Sequence, residues 1–425
     1  MHLQRSWRAV PRSLWAFNQG CYPVNPRQLD LLKAVVNLPT APYHEQYVDQ
    51  FISQWMLSLG AGKLLTSRRD RAGNIYLQYE HRPRSKRKLV FEAHSDHPGF
   101  VSLSRSRKGR LRSVFRGGVR SKCFAHARVR FWLPESLSTA ASRRTLPYIS
   151  GRWIPAEIAS VKPGHQATDQ IVELANIAAA LPPGSIGMWD IPDACVTRGM
   201  LYARACDDLA GVAAALAALE ELVNRKARAS LTVLITRAEE VGFAGSLAAL
   251  MNHELDPSTS VIGLETSSLR PESPQGAGPV VRVGDKTSIF SDRLTRFIGA
   301  TAADLAHWNN DFCWQRRLMD GGTCDTTAFQ AFGYDAAGIC LSLGNYHNMC
   351  EPTTRISEAL RAGPHIAAET ININDFSNLV ALLVAIAESF HKYDPDASAL
   401  KTRLSKMYRQ NQRSLLLANK SSNIS

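Results

Sequence analysis

At 425 residues the chain is too long for one ordinary small core, and its length favours two or three lobes of roughly 100 to 200 residues each. Hydrophobic residues at 45% and charged residues at 20% exclude a disordered or fibrous chain. The formal net charge of +13 raises a nucleic-acid hypothesis, but the basic residues cluster in 68–88, 105–130 and both tails without a nucleic-acid motif, which favours solvated surface.

Residues 1–25 are basic, and Arg8, Pro11 and Arg12 interrupt any apolar core that a secretory signal would need. They read as an N-terminal extension, with a transit peptide as the alternative. The eight cysteines contain no C-x-x-C pair, which argues against a zinc ribbon or thioredoxin-like motif and fits a reducing cytoplasm. The longest apolar stretches, Gly211–Leu219 and Leu379–Ile386, are shorter than the roughly 20 residues of a membrane span. Neither a membrane nor a nucleic-acid partner is expected.

Residues 28–59 predict two amphipathic helices broken at Pro39 and Pro42, with Val48, Phe51, Ile52, Trp55 and Met56 as core. Ile75–Tyr79 and Lys88–Ala93 read as strands. From 99 to 198 the texture changes to short strands punctuated by Gly, Pro and Arg, a separate β-rich module. Strand and helix then alternate: a helix at Leu209–Asn224, a strand at Leu231–Thr236, a helix near Ser246–His253 and a strand at Ser260–Glu265. A strand at Gly338–Leu343 and a helix at Phe376–Lys392 follow. This alternation predicts an α/β fold, a mixed sheet flanked by helices, with the β-rich module inserted as a β-barrel-like domain. The expected division is an extension over 1–25, a catalytic domain in two parts over 26–98 and 199–395, the insert over 99–198, and a basic tail over 396–425, partly helical or frayed.

Acidic and histidine residues fall where the apolar strands end. LVFEAHSDHPGF ends in His94 and Asp96, LTVLITRAEEVGFAGS in Glu239 and Glu240, SVIGLETSS in Glu265, and GICLSLGNYHN in His347. Ligands of open α/β sheets bind beyond the carboxyl ends of the strands, so these residues can converge. Asp207 and Asp208 stand at the mouth of a helix, where each alone reads as a cap. Taken singly, a strand-end histidine is more often structural and paired glutamates are more often a solvated turn. The set, two imidazoles with several carboxylates, is a ligand inventory for zinc or a similar ion. Two neighbouring cations repel, so a shared carboxylate is expected between them. Glu239 and Glu240 in an extended chain would point oppositely, one to metal and one to water. In H-x-D, Asp96 fits a carboxylate that orients the His94 imidazole.

At HSDHPGF, CDDLAG, AEEVGFAG, the strand ending in Glu265, GGTCDTTAF and NYHN, the sequence resembles the glutamyl and deblocking aminopeptidases of the co-catalytic zinc exopeptidase clan. The order and spacing of these motifs cover most of 28–395, and the β-rich insert lies between the His94 and Asp207 motifs as in that family. The resemblance implies His94, Asp207, Glu240, Glu265 and His347 as ligands of two divalent ions, with Asp207 bridging. Zinc is the expected ion, with cobalt or manganese as alternatives. It implies Glu239 as the general base that takes a proton from water and returns it to the leaving amine, and with Asp96 it completes the expected catalytic residues. It also implies a peptide substrate and a homo-oligomer. Glu265 stands where the family more often has Asp, and His97, Pro98 and Asn348 depart from the usual residues. Asp325 matches a recurrent position, with a substrate or structural role. The rivals are an N-acyl amino acid hydrolase of the same clan and a noncatalytic binding protein on this scaffold.

Overall fold

Strands buried on both faces need helices on each side, and the sequence meets that demand in Leu89–His94, Ser260–Ser268 and Asp335–Leu343, which are buried along most of their length. In the computed structural model, which describes residues 24–106, 109–135, 145–166, 168–350, 363–394 and 399–421, these strands are the centre of an eight-stranded mixed sheet. Its order is Leu65–Arg69, Ile75–His81, Ala229–Thr236, Leu89–His94, Ser260–Ser268, Asp335–Leu343, Val280–Gly284, Gln315–Leu318. The strands from Ala229 to Leu343 in that order run parallel to one another, so their carboxyl ends lie along one edge. The expected extension lies, up to residue 23, outside the described residues.

Helix Pro26–Val36 starts at a proline in its first turn, with Asn25 accepting the Arg27 N–H. Helix Gln46–Leu59 stops at Gly60 in the left-handed region. The break between them falls at the predicted prolines. Helix Leu209–Arg225 is buried along nearly its whole first three turns, which its alanines allow, because small side chains let it sit close under the sheet. The helix beginning at Ile373 and running to Lys392 is long and apolar enough to cross a membrane, but 72% of its most apolar 18-residue window is buried inside the fold, the position of a core helix. Strands Leu65–Arg69, Val280–Gly284 and Gln315–Leu318 and helix Asp292–Trp308 were not predicted. The strands are short or carry exposed arginines that mask the apolar pattern.

Between His94 and the second half of the sheet the chain closes a six-stranded barrel, in the order Gly99–Arg105, Leu111–Arg116, Asp169–Ala175, Gly151–Pro163, Arg128–Pro134, Ile186–Trp189. Phe100, Phe115, Phe124 and Trp189 fill it, edge to face except for the tilted pair Phe115 and Trp189, with ring centroids 4.8 to 6.3 Å apart. Gly187 is required there, since a Cβ would lie 2.7 Å from the Phe131 ring. After the barrel, Cys195–Thr197 and Met200–Ala203 pair with each other, and Met200–Ala203 pairs with Glu369–Asn372. The buried Arg204 ties the parts together: it donates to the carbonyls of Ile191 and Asn37 and lies 4.9 Å from the Trp153 ring of the barrel.

Candidate metal centre

The groups of the centre arrive at or just beyond strand ends and at the mouth of a helix, except Glu265, whose strand runs three residues past the end expected for it. His94 is the last residue of Leu89–His94. Thr236 ends the neighbouring strand, and Ala238, in the left-handed region at φ 52°, turns the chain into the short 3-10 turn Glu239–Val241. The extended geometry expected for Glu239 and Glu240 is therefore not the one observed, because the left-handed residue ends the strand before them. Glu265 sits within Ser260–Ser268, and His347 in a turn whose Asn345, His347 and Asn348 all have positive φ. Such backbone persists only where surrounding contacts hold it. Asp207 and Asp208, joined by a cis peptide, stand before helix Leu209–Arg225.

The structure gathers all five expected ligands. Nε2 of His94 is 3.6 Å from Oδ1 of Asp207 and 3.7 Å from Oε1 of Glu265. Nε2 of His347 is 3.5 Å from Oδ2 of Asp207 and 3.0 Å from Oε2 of Glu240. Asp207 thus faces one imidazole with each oxygen. Two triads of ligand atoms have the spacing of a cation site, His94 with Asp207 and Glu240, and Asp207 with Asp208 and Glu265.

The tautomers are set from outside the cluster. Nδ1 of His94 lies 3.2 Å from the Asp96 carbonyl, and Nδ1 of His347 lies 3.1 Å from the carbonyl of Gly118, which the barrel contributes. A carbonyl only accepts, so each Nδ1 donates, which leaves each Nε2 as the atom that would turn a lone pair to an ion. Burial lowers both imidazoles, yet the carboxylates of Asp207, Asp96 and Glu265 around His94, and of Glu240 and Asp207 around His347, raise them well above their usual value, so without an ion each Nε2 carries a proton that a divalent cation would replace. Nε2 of His347, Oδ1 of Asp207, Oδ2 of Asp208 and Oε1 of Glu240 are buried without a hydrogen bond, and an imidazole and carboxylate donor set of this kind fits divalent ions.

Electrostatics point the same way. Burial works to raise the Asp207 carboxyl, yet the imidazoles of His347 and His94 hold it well below the usual range. Desolvation pushes the Glu239 carboxyl well above that range, with Asp325, Glu240 and Glu265 adding to the rise and His94 opposing it. Burial first, then the Asp207 charge, pushes Glu265 up to about 7.

Asp96 accepts the N–H of Glu239 on Oδ1 at 2.9 Å and that of Glu240 on Oδ2 at 3.2 Å, with Oδ1 also 3.6 Å from Nδ1 of His94. Asp325 lies buried behind His94 beside Glu92, and the Thr236 hydroxyl donates to both carboxyls, at 2.7 Å to Glu92 and 3.3 Å to Asp325.

Sequence reading missed several supports. Glu369, from a strand far along the chain, accepts the N–H groups of Cys206 at 2.6 Å and Asp207 at 3.1 Å. No spacing marks it, and only its place as an acid at an inward position of a short strand hints at it. His97 and Asn348, noted only as departures, form one network: His97 Nδ1 is 2.6 Å from the Asp207 carbonyl, His97 Nε2 is 3.1 Å from Asn348 Oδ1, and the Asn348 amide donates to the carbonyls of Arg204 and Ala367. The Tyr346 ring stacks on His347 with centroids 3.8 Å apart.

Comparison with solved structures gives the same architecture. An aminopeptidase from the archaeon Desulfurococcus kamchatkensis is 18% identical over 88% of this chain and 98% of its own, with a TM-score of 0.66. The TET1 peptidase of Pyrococcus horikoshii, which can assemble into a tetrahedron or a large octahedral shell, is 19% identical over 85% of this chain and 99% of its own, with a TM-score of 0.62. A TET aminopeptidase from a marine sediment archaeon is 16% identical over 85% and 96%, with a TM-score of 0.64. These likenesses show the fold. The family model of the M42 glutamyl aminopeptidases matches residues 73–382, a span that runs from before His94 to beyond Glu369. With its metal-fitting cluster and this match over most of its length, the chain belongs to the M42 glutamyl aminopeptidase family and is a metal-dependent aminopeptidase.

Proposed function

We propose that the chain is a dinuclear aminopeptidase that releases residues from the free N-terminus of peptides. The observation that carries this reading is the split of Asp207 between two imidazoles, 3.6 Å from one and 3.5 Å from the other. In this reading His94 and Glu265 hold one ion, Glu240 and His347 the other, and Asp207 is shared. Zinc suits imidazole and carboxylate donors best, and cobalt or manganese are the alternatives. Two such ions supply Lewis-acid activation of water and of the scissile carbonyl.

The protein's own part falls to Glu239 and its supports. Glu239 accepts the proton of the attacking water and delivers it to the leaving amine. Asp96 holds the turn in place through its two backbone hydrogen bonds. The assemblies described for the TET1 peptidase of Pyrococcus horikoshii support a homo-oligomer here. Free cysteine thiols suit a reducing compartment, and we infer the cytoplasm.

The test is amino-acid release from peptides with free and with acetylated N-termini, wild type against Glu239→Gln, both with two ions per chain by metal analysis. Release from free N-termini only, lost in the variant, is expected. Cleavage confined to the acetylated set would replace this reading with a deacylase, and silence on both with the ions in place would replace it with a binding protein.

A further inference from the structure

The residues matched by the family model end at 382, and the chain continues into helix Ala399–Ser421. At 23 residues this helix is about 35 Å long. Its sequence contains Lys401, Arg403, Lys406, Arg409, Arg413 and Lys420 and no aspartate or glutamate. From 401 to 416 every residue except the half-buried Ser405 is exposed, so packing against the described residues does not explain its apolar residues. Leu404, Met407, Tyr408 and Leu415 are 49 to 60% exposed. At about 100° per residue they fall in one arc roughly 100° wide. Lys406, Arg409 and Arg413 fall on the opposite side, Lys401 and Arg403 flank the stripe on either edge, and Leu416 lies outside it.

We propose that helix Ala399–Ser421 docks the protein on the surface of an anionic lipid bilayer, its apolar stripe sunk to the acyl boundary and its cations among the headgroups. A narrow stripe of Leu, Met and Tyr flanked and backed by cations is the pattern of a helix that lies in the interfacial plane, and each cation near an anionic surface adds to the attraction. A second copy of the chain fits poorly as the occupant, since it brings the same cations and a net charge of +13. Nucleic acid would engage the cationic side and leave the stripe in water. The proposal revises the expectation of no membrane partner: the attachment is peripheral and needs no spanning segment.

The test uses the full chain and vesicles of phosphatidylcholine alone or mixed equally with phosphatidylglycerol. Cosedimentation is expected to favour the anionic vesicles by roughly tenfold or more and to fall with salt. Leu404→Asp with Leu415→Asp should abolish binding. Arg409→Glu with Arg413→Glu, which keeps the stripe, should remove the preference for anionic lipid. Both should leave hydrolysis of a soluble peptide unchanged. In Tyr408→Trp, the emission should move to the blue on anionic vesicles only. Equal binding to both vesicle types, no binding to either, or binding that survives both double variants would overturn the proposal. Salt-sensitive binding to duplex DNA or to an acidic protein without vesicle binding would overturn it in favour of that partner.

Discussion

Asp96 accepts the backbone N–H of Glu239 at 2.9 Å, and its second oxygen accepts the next N–H, that of Glu240, at 3.2 Å. One fully buried carboxylate thereby fixes the turn that carries the proposed base and one proposed ligand, while the same residue's carbonyl takes Nδ1 of His94. Its sequence neighbour is positioned by its backbone and the distant turn by its side chain.

Asp96→Asn keeps the volume but sets an amide N–H₂ against one of the two backbone donors. Stability should fall by about 1 to 3 kcal/mol, read by urea unfolding. Catalytic efficiency should fall roughly 10- to 100-fold through weaker metal binding, the range for residues that orient ligands. A variant with wild-type stability and wild-type metal affinity would show that the turn holds itself.

Glu239 and Glu240 are adjacent in sequence but differ in what they face, since only Glu240 is within 3.0 Å of His347. Glu239→Gln should lower kcat by roughly 10²- to 10⁴-fold while metal analysis still finds two ions per chain. Glu240→Gln should lose an ion first and activity with it. Loss of metal in the Glu239 variant, or full metal in an inactive Glu240 variant, would exchange the two roles.

The contrast between these neighbours shows where sequence reading succeeds and where it stops. The strands that end in His94, in the turn after Thr236, and near Glu265 and His347 are apolar runs bounded by turn residues, so their ends, and the residues there, were legible. The converging set followed because parallel strands put those ends on one edge. The direction of each side chain was not legible, because it depends on the left-handed residues Ala238 and Asn345, whose φ nothing in their identity announces for alanine. Supports from distant strands, such as Glu369 beneath Asp207 and the Gly118 carbonyl behind His347, depend on tertiary pairing alone. The C-terminal helix was half legible: its charges read as a tail, and its stripe emerges only once the helix is continuous.

The crowding of Asp207, Asp208, Glu240 and Glu265 makes the metal part of the protein's stability. Ions bound to the folded chain stabilise it by about 4 kcal/mol at a thousandfold excess over Kd. Dialysis against EDTA should therefore lower Tm and abolish peptide release, and zinc added back should restore both. An unchanged Tm with restored activity would mean that the ions are held too weakly, or too near the surface, for this buried cluster to be their site.

Gly211 gives the sharpest test of Asp208, the carboxylate with both a structural and a metal-binding claim. It occupies the first turn of helix Leu209–Arg225, where its N–H donates to Oδ1 of Asp208 at 3.1 Å. At an ordinary helix position, replacing glycine by alanine stabilises by about 1 kcal/mol. Here an added Cβ would lie 2.2 Å from Oδ2 and 2.5 Å from Oδ1 of Asp208. Asp208 is fully buried, so its carboxylate has no solvent to swing into. Gly211→Ala should thus reverse the usual sign and destabilise the chelated protein by about 1 to 3 kcal/mol, through loss of the cap and of the one hydrogen bond that the buried carboxylate accepts through Oδ1. If Asp208 also shares an ion with Asp207 and Glu265, the metal-loaded protein should lose still more, and metal analysis should show fewer than two ions per chain. Equal destabilisation with and without metal would leave Asp208 a helix cap, and a gain in stability would mean that its carboxylate moves freely despite its burial.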